Sequence, residues 1–156
     1  MKLFILPVLI FAATVNAQVP RSQGYLVQGF GATSPGSTGL GQTAVGGDIG
    51  IYKGLGIGLE LAGVYPWRCG TCVIGAAGIG GSYHILAGRR NTKWDPYVVG
   101  GYSLLFREGT ANAYHYGFGV GYWFNRHLGV RAEFRDLRFA QGNDGYPSFR
   151  VGITFQ

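Results

Sequence analysis

The stretch from Tyr114 to Phe124 reads Tyr-His-Tyr-Gly-Phe-Gly-Val-Gly-Tyr-Trp-Phe, and it constrains the fold more than any other segment of the chain. Its even positions, Tyr114, Tyr116, Phe118, Val120, Tyr122 and Phe124, are all apolar or aromatic, whereas the odd positions, His115, Gly117, Gly119, Gly121 and Trp123, are mostly too small to fill a soluble core. In a β-strand, successive side chains point to opposite faces, so one face here is continuously greasy and the other nearly bare. Aromatics stand at both ends of the greasy face, with Phe118 and Val120 between them. A strand that crosses a bilayer is built in this way, because aromatic rings favour the two interfaces and aliphatic groups the middle. The six apolar residues are therefore expected to face the membrane, in a transmembrane β-barrel.

The N-terminus supports export. Lys2 supplies a positive start, Leu3 to Thr14 is almost wholly apolar, and Val15-Asn16-Ala17 has the form of a cleavage site. The apolar run is too short to span a bilayer as a helix, so residues 1–17 are read as a signal peptide. No Cys follows to carry a lipid anchor. Residues 18–156 then form a single outer-membrane barrel domain, with no shift in composition to mark a boundary. The 29 glycines follow no collagen period, and aromatics at 15% oppose disorder. The formal charge of +6 becomes +5 once Lys2 is removed. Nucleic acid is a poor partner for an exported chain, so this charge is expected to meet anionic headgroups or to be paired inside the barrel.

Turn signals divide the exported part into eight strands, near 23–32, 43–53, 55–66, 73–86, 95–107, 112–125, 128–139 and 147–156. The parity seen at Tyr114–Phe124 repeats in them. Leu55, Ile57, Leu59 and Leu61 oppose Gly56, Gly58 and Glu60; Val130, Ala132 and Phe134 oppose Arg131, Glu133 and Arg135; Val151 and Ile153 oppose Arg150 and Gly152. A soluble lipocalin-like barrel that binds a ligand in its cavity would alternate in the same way, with the apolar face turned inward. Side-chain size favours the membrane arrangement: the bulky face suits lipid, and the glycine-dotted face suits a narrow lumen. Eight strands enclose just enough space for side chains. Asp48, Glu60, His84, His115, Arg131, Glu133, Arg135 and Arg150 are expected to form a lumenal network of charge-assisted hydrogen bonds, since buried ions need partners. Lys53-Gly54 and Asn125-Arg126-His127 read as tight periplasmic turns, and the connections 33–42, 66–72, 107–111 and 140–147 as outer loops. The long, basic connection from Gly88 to Lys93 departs from that rule.

The run Asp95-Pro96-Tyr97-Val98-Val99-Gly100-Gly101-Tyr102, then Gly119-Val120-Gly121-Tyr122-Trp123-Phe124 leading into Leu128-Gly129-Val130-Arg131-Ala132-Glu133-Phe134-Arg135, resembles the small eight-stranded outer-membrane β-barrel family, which includes OmpX-like and OmpA-barrel-like proteins. The resemblance implies a structural or surface-interaction role without catalytic residues. It also implies recognition by the barrel-assembly machinery through a terminal aromatic; here Phe155 is penultimate, a departure from the family's pattern.

Catalytic chemistry finds little support. Cys69-Gly70-Thr71-Cys72 lies in an outer loop, with no helix N-terminus to activate a thiol. An even cysteine count in an exported chain favours a disulfide, with metal binding or redox sensing as alternatives; two cysteines alone are too few ligands for zinc. Some eight-stranded barrels are lipid A-modifying hydrolases, and that chemistry needs a serine activated by a base near the lipid surface. The candidates are Ser82 with His84 and Ser103 with His115, but Ser82 and both histidines have lumenal parity. The Gly-rich runs 29–31 and 78–81 precede no helix and are not phosphate loops. The sequence thus predicts a non-enzymatic bacterial outer-membrane barrel that needs no cofactor or metal. Its expected partners are outer-membrane lipid and lipopolysaccharide, with the assembly machinery acting during biogenesis.

Overall fold

The computed structural model describes residues 22–36, 38–69, 72–87, 92–142 and 144–156. The expected leader, 1–17, lies outside them. Eight strands follow in order: β1 (Gln23–Ala32), β2 (Gly39–Tyr52), β3 (Leu55–Pro66), β4 (Ile74–His84), β5 (Trp94–Phe106), β6 (Thr110–Trp123), β7 (Leu128–Phe139) and β8 (Gly145–Phe155). Each pairs antiparallel with its sequence neighbour, and β1 closes against β8 with Gly24 opposite Phe155 and Gly31 opposite Ser148. The chain is an all-β, eight-stranded, antiparallel closed barrel. Closure leaves no unpaired edge, which every backbone group requires if it is to sit in lipid.

The hairpins at the end that carries both β1's start and β8's end are chemically specified. Lys53 and Gly54 have φ of 43° and 86°, the left-handed pair that a two-residue primed turn needs. At the next tight hairpin the Asn125 Oδ1 accepts hydrogen bonds from the backbone N–H of His127 (2.8 Å) and of Leu128 (2.9 Å), an Asx turn.

Strand limits differ from the sequence reading mainly at the opposite, loop-bearing end. β2 starts at Gly39 rather than near 43, β6 at Thr110 and β8 at Gly145. Gly39-Leu40-Gly41-Gln42 has the composition of a loop, but Leu40 and Gln42 are buried inside the barrel, and the Trp67 N–H bonds the Gly39 carbonyl at 3.0 Å. Three of the four connections at this end are correspondingly shorter than expected, 33–38, 107–109 and 140–144, whereas 67–73 keeps the expected length. The basic connection after β4 remains the longest, running from 85 to 93.

Below the loop end the faces separate by character. Ile49, Ile57, Leu59, Leu61, Ile79, Val98, Val151 and Ile153 are exposed on the outside, and charged residues are buried within. Aromatics stand above and below this aliphatic zone: Tyr65, Trp67, Tyr102, Phe106 and Tyr114 toward the loop end, Tyr52, Trp94, Phe124 and Phe155 toward the turn end. A soluble ligand-binding barrel would carry its greasy face inside, so this sidedness opposes the lipocalin-like alternative. Inside, Leu40, Val64, Ala76, Leu105, Ala113, Leu137 and Tyr146 pack together near the loop end. The ionic residues lie below them.

Candidate functional site

Two inward-facing carboxylates organise the lumen. Glu133, on β7, accepts from the Tyr97 hydroxyl at 2.9 Å, from Arg131 Nη2 at 2.9 Å and from Arg135 Nε at 2.6 Å, with Arg150 Nη1 at 3.4 Å. Glu60, on β3, accepts from the Tyr25 hydroxyl at 2.9 Å, from Arg135 Nη1 at 3.0 Å and from Arg150 Nη2 at 2.7 Å. Each carboxylate thus meets one tyrosine and at least two arginines. Arg135 and Arg150 bridge the two centres. Strand pleating alone places Arg131, Glu133 and Arg135 on one face of β7, and closure brings Glu60 across from them.

Arg131 is held from three directions. Its Nε donates to the Tyr97 hydroxyl at 2.9 Å, and Asp48 Oδ2 lies 3.7 Å from Nη1. Its guanidinium carbon sits 4.1 Å from the centroid of the Tyr25 ring and 4.7 Å from that of Tyr97, a double cation–π contact. Formal charges balance, with Arg131, Arg135 and Arg150 against Asp48, Glu60 and Glu133. Charge balance is a condition under which such ions tolerate burial; Arg131 Nη1 and Arg150 Nη1 face carboxylates at ion-pair distance, 3.7 and 3.4 Å, without a hydrogen bond.

Six of the eight residues singled out from the sequence therefore meet in one network. The two histidines go elsewhere. His84 Nδ1 bonds both carboxylate oxygens of Asp95 at 2.9 Å near the turn end, and His115 Nδ1 lies 2.8 Å from Ser103 Oγ. Sequence reasoning passed over Tyr25, Tyr97 and Asp95. The signal for two of them was present: Val98 and Tyr102 face outward in β5, which turns Asp95 and Tyr97 inward.

The outer face carries its own polar cluster near the loop end. Asp136 accepts from the Tyr116 hydroxyl at 2.9 Å and from Arg138 Nε at 2.8 Å. Tyr116 is otherwise exposed, as are Tyr114, Phe118 and Phe124; Val120 and Tyr122 are half-buried, with the Tyr122 ring packed against Trp94 and Phe124. In the loop after β3, Cys69 and Cys72 form a disulfide.

Neither serine–histidine pair is placed for hydrolysis of a lipid. Ser82, His84, Ser103 and His115 are all buried inside the barrel. The cavity beside Ser103 and His115 has a volume of about 20 Å³, room for about one water and not for an acyl chain. Among the described residues no three His, Cys, Asp or Glu side chains converge as a metal site.

A closed eight-stranded barrel with a greasy outside and a sealed ionic lumen has the architecture of small outer-membrane barrels. The solved structures agree. Neisserial surface protein A superposes with a TM-score of 0.62 at 15% identity, over 86% of this chain and 94% of that one. The N-terminal barrel of Pseudomonas aeruginosa OprF gives 0.56 at 15% identity, over 88% of this chain and 100% of that one. Ail, the attachment invasion locus protein of Yersinia pestis, solved with the heparin analogue sucrose octasulfate, gives 0.55 at 7% identity over 87% and 99%. At these identities the likeness is one of fold. No protein-family model matches the sequence, and no curated protein matches it.

Proposed function

We propose that the chain is an integral protein of the bacterial outer membrane, exported through a leader cut after Ala17, with a structural or surface-interaction role and no enzymatic activity. The observation that carries this reading is the sidedness of a closed barrel: aliphatic groups between two aromatic belts outside, six balanced ions inside. Lipid, with lipopolysaccharide in the outer leaflet, is the partner that the outer face fits, and the barrel-assembly machinery would fold the chain into place.

The loops support presentation at a surface. They are short and tied down: Ser34 exchanges backbone hydrogen bonds with Gly145 at 2.8 and 2.7 Å, and the Ala140 N–H bonds the Asn112 carbonyl at 2.9 Å. Trp67 and Arg68 project beside the Cys69–Cys72 bridge. Ail offers an analogy for attachment, but a sulfated ligand needs net positive charge, and here the loop end balances Arg68, Arg107 and Arg138 against Glu108, Asp136 and Asp144.

Fractionation of inner and outer membranes, with gel migration of boiled against unboiled protein, tests the reading. Outer-membrane recovery with a heat-dependent band shift is the expected result. A soluble protein without a shift would overturn it.

A further inference from the structure

Charge in this barrel is segregated by height. The lumenal network is balanced, three against three, and the loop end is balanced in the same way. The excess therefore collects at the turn end, where Lys53, Lys93 and Arg126 are exposed and the described acid, Asp95, is engaged by His84 at 2.9 Å. Arg21, Arg89 and Arg90 lie outside the described residues. The three described cations sit on three different connections, β2–β3, β4–β5 and β6–β7, so they are distributed around the rim instead of converging on a pocket.

Each cation is also set against the lower aromatic belt. Lys53 Nζ lies 5.0 Å from the Tyr52 ring centroid. Lys93 precedes Trp94, whose ring meets Tyr122 at 4.9 Å, and its carbonyl accepts from the Trp123 N–H at 2.8 Å. Arg126 follows Phe124 and Asn125 in the Asx turn. Belt aromatics mark headgroup depth, so these cations stand where lipid phosphates would be.

We propose that this rim binds anionic phospholipid headgroups of the periplasmic leaflet through Lys53, Lys93 and Arg126. The proposal rests on the reading of the chain as an outer-membrane barrel with its termini facing the periplasm. A ring of cations at one depth suits an annulus of many lipids. A single compact ligand would need the charges to converge, and lipopolysaccharide occupies the opposite leaflet.

The test uses mature protein refolded into phosphatidylcholine vesicles, with spin-labelled phosphatidylglycerol or phosphatidylcholine reporting the lipid at the protein boundary. Wild type is expected to prefer phosphatidylglycerol by roughly fivefold at low salt, a preference that added salt erodes. The combined variant Lys53→Asn, Lys93→Gln, Arg126→Gln should fall to parity; Asn at 53 tolerates the left-handed backbone there. Arg68→Gln with Arg107→Gln, at the other end, should change nothing. An unchanged preference in the triple variant, or loss of preference only in the loop-end pair, overturns the proposal. So does co-sedimentation with peptidoglycan that depends on the same three cations in a protein showing no lipid preference. A heat-dependent gel shift is read on every sample. Its absence in wild type defeats the barrel reading itself, whereas a shift without lipid preference defeats only this inference.

Discussion

Glu133 is 2% exposed and holds Tyr97, Arg131 and Arg135 by hydrogen bonds, so its loss strands positive charge in a closed space. Truncating one partner of a buried ion network costs about 3–5 kcal/mol, because the remaining charge stays buried without compensation. Glu133→Ala is expected to destabilise the barrel by about that amount, read as a lower urea midpoint for loss of the folded gel band in vesicles. Tyr97→Phe removes one hydroxyl that both accepts from Arg131 and donates to Glu133. It should cost about 1–3 kcal/mol in the same assay while keeping the ring that stacks on Arg131. A midpoint equal to wild type in both variants would show that these contacts contribute nothing to stability. The charged members of this network were legible in the sequence, since parity alone placed Arg131, Glu133, Arg135 and Arg150 opposite the aliphatic residues. Their pairing was not. Glu60 and Arg150 are ninety residues apart and meet only through barrel closure, and Tyr25 and Tyr97 carry no charge that would single them out by parity.

Glycines permit close passage of neighbouring strands, and their roles differ by position within an element. Gly119 of β6 stands opposite Tyr97, and a Cβ there would lie 2.5 Å from the tyrosine Cζ and 2.7 Å from the Ala132 backbone oxygen. A large side chain lying over a glycine on the neighbouring strand is how this lumen makes room for its tyrosines. Gly119→Ala should therefore destabilise by roughly 1–3 kcal/mol, the ordinary cost of overpacking. Gly109, in the β5–β6 loop, has open space around its Cα, and Gly109→Ala should stay within about 0.5 kcal/mol of wild type. Equal urea midpoints for the two variants would refute the seat. Strand phases were readable for the same reason that these glycines are informative: where a bulky residue and a glycine alternate, the strand declares its outer face. In β1 and β4, by contrast, Gly and Ala fall on both faces and blur it. Strand ends were less readable at Gly39–Gln42. There the outward-facing positions are glycines, and what covers Gly39 is Trp67, from the connection just after β3.

Across the whole molecule the lumen is closed twice along its axis. Near the loop end Leu40, Leu105, Leu137, Tyr146 and their neighbours form an apolar seal. Below it Glu60, Glu133, Arg135 and Arg150 form an ionic one that crosses the barrel. An ion entering from the loop end must first shed water against apolar groups, and then break charge-assisted bonds. Each barrier is expected to block steady conduction by itself, which leads to a combined-variant prediction. In planar bilayers wild type should show no sustained current steps. Leu137→Ala with Tyr146→Ala opens the upper seal and should remain silent, because the ionic layer persists beneath it. Glu60→Ala with Arg150→Ala removes a bonded pair of opposite charges and leaves the formal balance of the lumen unchanged; it too should remain silent while the apolar seal holds. All four substitutions together should produce discrete steps, provided that the heat-dependent gel shift shows the barrel intact. Steps in either double variant would mean that one seal carries the whole barrier. Silence in an intact quadruple variant would place the block in the remaining Glu133–Arg135 pair and the tyrosine-clamped Arg131 beside it.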